Sequence, residues 1–584
     1  MAIRMKVKRS PIRAGPHTCG NRRSRGARRL LKSVQVAIRR GLIRSAILAV
    51  ALVGCASIEH RHFSVPSQTV TFEELKQSES STEWLLYGHD YGNSRFTPMD
   101  TIDTSNVANL EPAYIIQTGV LGEFEASPIV SNGVMYLSTA YDNVLAIDAR
   151  TGRRIWRYTP DLGRSILCCG PANRGVAISE GLVFIGQLDG KLVALDQETG
   201  HVVWSAHVSR SPQYSITMAP LAYKDEVLIG VAGGEFGIRG FLAAYSIDSG
   251  RELWRWYSTN SHDWAGDFSP RTALGEDLHR DIASERRTYG RFRSAWLRGG
   301  GGIWATPAID VQRDEIYLAT GNPWPASGES RPGDDRHTDS IVALNAKSGK
   351  LRWAFQEVPH DTWDRDAASP PFLTSTRAKD GRMVAAVAEA GKTGWLYILD
   401  RATGRLVGDP VKVGSRIGED EHLSGASPGA SGGVTWSPIA VDRELNYGVV
   451  VAVHRAEDPA SRRKHSTGDI HSRNEQPGSY GFISGVDLTK REIAWQHQTT
   501  TRPVGGALTT AGGLTFVGES SGFLDALSTR TGRLLWQFQL GAAVNAPPIA
   551  FSVGDDEYIA VAAGGNQQIH TSEGDVVGVF RLKH

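Results

Sequence analysis

Two cysteines stand side by side in "SILCCGPANRG", Cys168 and Cys169, in a chain of 584 residues that holds only four cysteines. Bonded to each other, they close a small strained ring and crosslink no loop, so restraining the unfolded chain is not what such a bond achieves. The residue types leave three readings open: redox chemistry, a rigid flat surface made by the disulfide itself, or two unpaired buried thiols.

The compartment bears on that choice. Residues 1 to 54 carry 14 of the 64 Lys and Arg and no Asp or Glu, so the remaining 50 basic residues face 62 acidic ones. The body is mildly acidic, which argues against nucleic acid as a partner. The basic stretch leads into "RSAILAVALVGCAS", an apolar run too short to span a bilayer and followed by small residues, as in a secretory signal. Its end, Leu52-Val53-Gly54-Cys55, resembles a bacterial lipobox, in which the cysteine is lipidated and becomes the new N-terminus. Arg39-Arg40 in "RRGLIR" also resembles a twin-arginine signal. The expected organisation is a signal at 1–54, a linker at 55–82 after a lipidated Cys55, and a folded body at 83–584. The expected location is the periplasmic side of a bacterial membrane, the outer membrane, held by a lipid anchor. Cys19 leaves with the signal, and the exported compartment oxidises thiols.

The body is built from a recurring unit. "NVLAIDARTGRRIW" ends at Trp156, "KLVALDQETGHVVW" at Trp204, "FLAAYSIDSGRELW" at Trp254, "SIVALNAKSGKLRW" at Trp353 and "FLDALSTRTGRLLW" at Trp536, with weaker copies after Trp395 and ending at Trp495. Each copy is an alternating apolar strand, a D-x-x-T-G turn and a second strand closing on a large residue. Spacings of roughly forty to fifty residues mark the four-stranded blades of a propeller. The spacing predicts an all-β, eight-bladed β-propeller of antiparallel blades, with insertions between Trp254 and Gly299 and within "HRAEDPASRRKHSTGDIHSRNEQPGS". The eighth blade is expected to pair the C-terminal "APPIAFSVGDDEYIAVAAGG" and "VVGVFRL" with the N-terminal "EWLLYGHDYGNSRFTP", closing the ring.

The spread of blades, the opening "LYGHDYGNSRFTPMDTIDTSNVANL" and "CCGPANRG" together resemble the quinoprotein alcohol dehydrogenases that use pyrroloquinoline quinone (PQQ), from about Trp84 to Phe580. The resemblance implies that Cys168 and Cys169 form a vicinal disulfide, one wall of a slot for a planar quinone, opposite Trp304 of "GGGIWATPAID". It implies a hard cation, Ca2+ or a lanthanide ion, on Glu235 of "GVAGGEFGIRG" and Asn322 of "LATGNPWP", whose flanking glycines let backbone approach a ligand closely. In "PHDTWDRD" it places a catalytic base, also a metal ligand, at Asp364, while Asp361 turns the backbone. Lys392 of "EAGKTGWLY" matches the basic residue that hydrogen-bonds the quinone oxygen. Glu125, Arg174, Thr217, Gly233 and Gly234 match cofactor-lining positions, with Arg174 pairing a cofactor carboxylate. Thr435 of "GGVTWSP" departs from the asparagine that the family often has there.

The implied activity is oxidation of an alcohol by hydride transfer to the quinone. No C-x-x-C-H occurs in the sequence, so the expected electron acceptor is a separate one, a cytochrome c or the quinone pool. Asp366, two residues beyond the base, stands where lanthanide-using members carry an extra aspartate, and one more anionic oxygen suits a trivalent ion. The competing class is a non-catalytic, lipid-anchored propeller scaffold that resembles an outer-membrane assembly lipoprotein. Such a scaffold needs none of Cys168, Trp304, Glu235, Asn322, Asp364 and Lys392, whose joint presence argues against it.

Overall fold

The computed structural model describes residues 69–167, 169–416, 432–454 and 480–583. Cys55, Cys168 and the second insertion lie outside the described residues, which all belong to one compact unit, Ser64–His584. Among the described residues eight sheets follow one another, seven of four antiparallel strands and one of five. The expected eight-bladed propeller is the observed architecture.

In the first blade the strands are Ile129–Ser131, Val134–Ser138, Val144–Asp148 and Arg154–Tyr158. The three inner strands are wholly buried, and the outermost is exposed or half-buried except at Trp156. That gradient follows from ring geometry, because an inner strand is covered on both faces by neighbouring blades and an outer one borders water.

The D-x-x-T-G turn and the closing tryptophan form one inter-blade joint. Gly200, Gly250, Gly349, Gly404 and Gly532 have φ between 63° and 71°, a conformation that β-carbons disfavour. A β-carbon on Gly200 would fall 2.6 Å from the Trp156 ring of the preceding blade, and one on Gly532 would fall 2.3 Å from Trp495. The indole Nε1 then donates into the next blade's turn, from Trp156 to the Gln197 carbonyl at 3.1 Å and from Trp495 to that of Thr529 at 2.7 Å. Trp156 and Trp495 thus each bury their ring and satisfy their one donor in a single contact.

Ring closure differs from the expectation. The eighth blade takes its N-terminal strand from Leu110–Gln117, paired with Val576–Leu582, and not from "EWLLYGHDYGNSRFTP". Trp536 marks the seam by donating to the Leu110 carbonyl at 3.2 Å. The earlier segment is broken by left-handed residues, His89, Asn93 and Arg95, so it cannot run as a long strand. It instead lies across the inner strands. Ile309, Leu373, Val441 and Thr509, on four successive blades, donate backbone N–H groups to the Tyr91, Gly92, Ser94 and Arg95 carbonyls. The fully buried Arg95 guanidinium satisfies itself on the Tyr87, Ala507 and Pro548 carbonyls at 2.7–2.9 Å. Phe96–Thr97 adds a short parallel strand to the seventh blade, which gives that blade its fifth strand.

Candidate active site

In a blade of four antiparallel strands, the loop between the second and third strands opens at the same end as the crossover into the next blade. The candidate residues occupy these loops. Glu235 and Asn322 lie between the second and third strands of the third and fourth blades, and Lys392 lies at the same place in the fifth. Asp364 and Asp366 lie on the crossover from Leu351–Gln356 to Phe372–Arg377. Cys169, Arg174, Thr217, Trp304 and Thr435 lie on crossovers into the second, third, fourth and sixth blades.

The base segment is shaped by Asp361. Its carboxylate accepts the backbone N–H groups of Trp363 at 3.0 Å and Arg365 at 2.9 Å, which is the backbone-turning part expected of it. Asp364, between those two donors, has φ of 68°, uncommon for a residue with a β-carbon. The turn presents Asp364 to Lys392, whose Nζ lies 2.9 Å from its Oδ1 and also forms a close ion pair with Asp366 Oδ2. Asp366 Oδ1 accepts the Asn322 backbone N–H at 2.6 Å, so the carboxylate joins Lys392 to the Asn322 loop. Gly321 makes that approach possible, since a β-carbon there would lie 2.8 Å from Asp366 Oδ1 and 3.2 Å from the Trp304 indole nitrogen.

Glu235 sits in a short turn, Gly234–Phe236, that follows Gly233 at φ of 112°. A β-carbon on Gly233 would lie 2.2 Å from the Gln213 carbonyl, whereas one on Gly234 would lie 3.9 Å from Asn322 Oδ1. Glycine is required at 233 and brings the Glu235 turn against Asn322. Burial pushes the Glu235 carboxyl up to about 7, with the Asp364 and Asp366 charges adding to the push and Lys392 opposing it. Burial also raises Asp366, against the pull of Lys392.

A second group surrounds Arg174. Its Nη2 pairs with buried Glu125 at 3.0 Å and its Nη1 donates to Thr217 Oγ1 at 2.9 Å, while the guanidinium lies 5.3 Å from the Trp304 ring centre and 6.0 Å from that of Trp436. Arg174 Nε, Thr435 Oγ1 and Trp436 Nε1 are buried without a hydrogen-bond partner. Buried polar atoms without partners are costly, and three of them around one guanidinium and two indole rings suit a flat, polar, anionic ligand. Cys169 is disulfide-bonded, and its neighbour Cys168 lies outside the described residues.

The donors fit a hard cation in kind, since they are carboxylate and amide oxygens. Among the described residues no three His, Cys, Asp or Glu side chains form a metal cluster by themselves.

Two neighbours of the slot escape the sequence reading. Trp436, adjacent to Thr435, reaches Arg174, and Asn566 donates to Glu125 Oε1 at 2.6 Å. The "VTW" spelling offered a signal for the first. Nothing local marks Asn566, which arrives from the far end of the chain.

The family model described as PQQ, glucose/ethanol/alcohol dehydrogenase, beta-propeller domain, matches residues 84–413 and 454–559. The chain belongs to this family. It is 32% identical to the quinoprotein alcohol dehydrogenase PedH of Pseudomonas putida, over 87% of this chain and 90% of that protein. It is also 32% identical to a lanthanide-dependent methanol dehydrogenase of Methylorubrum extorquens, over 84% and 88%. Among solved structures, the quinohemoprotein alcohol dehydrogenase of Comamonas testosteroni superposes with a TM-score of 0.75 at 28% identity, covering 88% of this chain and 82% of that one. In this PQQ-family propeller the Arg174 and Asp364–Lys392 groups share Trp304, which lies beside both the guanidinium and the Asp366 loop.

Proposed function

We propose that the protein oxidises an alcohol to the aldehyde or ketone, using PQQ and one Ca2+ or lanthanide ion, and passes the electrons to a separate acceptor, a cytochrome c or the quinone pool. The observation that carries this reading is the Asp364–Lys392–Asp366 array beside the Arg174–Trp304–Trp436 slot. A carboxylate held beside an ammonium in a water-poor cleft is the kind of group that can take a substrate proton. Asp364 is placed to accept the alcohol O–H proton as the hydride leaves the adjacent carbon. When bound, the quinone would supply acceptance of that hydride equivalent and the cation would polarise the quinone as a Lewis acid.

Within the same reading, Arg174 pairs with a cofactor carboxylate, Glu125, Thr217, Gly233 and Gly234 line the slot, and a Cys168–Cys169 disulfide and Trp304 hold the cofactor's faces. Glu235, Asn322, Asp364 and Asp366 hold the cation. Asp366 and the likeness to a lanthanide-dependent relative favour a trivalent ion. Reconstitution of purified protein with PQQ and either Ca2+ or La3+, assayed by dye reduction with primary and secondary alcohols, aldehydes and sugars, tests the proposal. Alcohol-dependent reduction is expected, and none with any alcohol under either metal would overturn it.

We also propose export and anchoring through a lipid on Cys55. Cys55→Ala should leave the protein soluble in the exported compartment, because a single acylated terminus is what holds it. Membrane association that survives a salt wash in that variant would refute the anchor.

A further inference from the structure

Beneath the base segment lie two carboxyl groups that the proposed chemistry does not use. Glu357 follows the outermost strand of the fourth blade, Leu351–Gln356, and Glu389 lies in the second strand of the fifth, Met383–Ala390. Both are fully buried and lie close enough to interact, and burial pushes both carboxyls up, Glu357 further still through the Glu389 charge. Each keeps one buried oxygen with no hydrogen-bond partner, Glu357 Oε1 and Glu389 Oε2. Two neighbouring carboxyl groups in an apolar interior resist ionising together.

The remaining oxygens reach the two segments that carry the reactive groups. Glu389 Oε1 accepts the Ser369 backbone N–H at 3.1 Å, three residues beyond Asp366. Glu357 Oε2 accepts the Thr393 hydroxyl at 3.0 Å, one residue beyond Lys392. The same two segments are joined directly, by the Lys392 backbone N–H donating to the Asp366 carbonyl at 3.0 Å and the Ala390 N–H donating to Ser369 Oγ at 3.3 Å. Gly391 lets them meet, since a β-carbon there would lie 2.4 Å from the Asp366 carbonyl oxygen.

The structure assigns to Glu357 and Glu389 the part of a positioning pair that fixes the Asp364–Asp366 segment against the Lys392 turn. Neither touches substrate or cofactor. Their contribution is registry: Glu389 holds one segment, Glu357 holds the other, and the two side chains adjoin between them. The inference rests on the reading of Asp364 and Lys392 as the reactive groups.

Amide exchange and turnover together test it. Glu389→Ala should speed exchange at the Ser369 and Lys392 amides and lower kcat by about tenfold to a hundredfold, the cost of displacing a reacting group by about an ångström, with KM for the alcohol little changed. Glu389→Gln retains an amide that both donates to Glu357 and accepts from Ser369, so it should restore both. Unchanged exchange in Glu389→Ala overturns the positioning pair whatever the activity shows, and so does a Gln variant as impaired as the Ala variant. Faster exchange with unaltered kcat would instead overturn the assignment of Asp364 and Lys392. Should Glu389→Ala fail to fold, Thr393→Val removes only the Glu357 side of the link. Faster exchange at Lys392 in that variant supports the pair, and unchanged exchange refutes it.

Discussion

Asp364→Asn is expected to keep its cofactor and lose turnover by about two to four orders of magnitude, the span associated with removing a general base. The substitution is close to isosteric, and asparagine tolerates the left-handed backbone at φ of 68° that the Asp361 turn imposes. Lys392 keeps its ion pair with Asp366, so the ammonium is not set loose in the site. What is lost is one negative charge and the capacity to take a proton. The slot around Arg174, Trp304 and Trp436 lies on other crossovers and should hold PQQ unchanged. Quinone absorbance and dye reduction, measured on one reconstituted sample, separate binding from chemistry. Intact absorbance with near-normal dye reduction would show that Asp364 is not the base.

The blade repeat was legible because its signal is local. A left-handed glycine and a tryptophan at fixed spacing are both needed to make one inter-blade joint, so the pattern survives in a single sequence. The closing strand was not legible in this way. "EWLLYGHDYGNSRFTP" is apolar enough to read as a strand, and only the four blades that hydrogen-bond to Tyr91–Arg95 reveal it as a cross-piece. Site residues divide along the same line. Glu235, Asn322, Asp364 and Lys392 sit in short motifs that carry their own glycines or turn formers, and the structure brings their loops to one end of the ring. Asn566 and the Glu357–Glu389 pair owe their places to segments that meet only once the ring has closed. A glutamate inside an apolar strand such as "MVAAVAEA" announces a buried charge problem, but its partner is 32 residues away.

Asp366→Ala is expected to reverse the metal preference of the reconstituted protein. With Asp366 in place, lanthanum or cerium should activate at concentrations where calcium does little, because a trivalent ion gains more from an additional anionic oxygen than a divalent one does. The carboxylate has other duties that the comparison must separate. Its Oδ1 accepts the Asn322 backbone N–H and its Oδ2 pairs with Lys392, so removing the side chain also frees a ligand loop and a reactive ammonium. Asp366→Asn distinguishes these effects: its amide oxygen can still accept from Asn322, while the negative charge is gone. If charge selects the ion, both variants should lose lanthanide activation, and the asparagine variant should retain the better calcium-supported rate. If instead calcium alone restores full activity to the unsubstituted protein and neither variant shifts the order, Asp366 serves to hold Asn322 and Lys392 in place, and the trivalent reading fails.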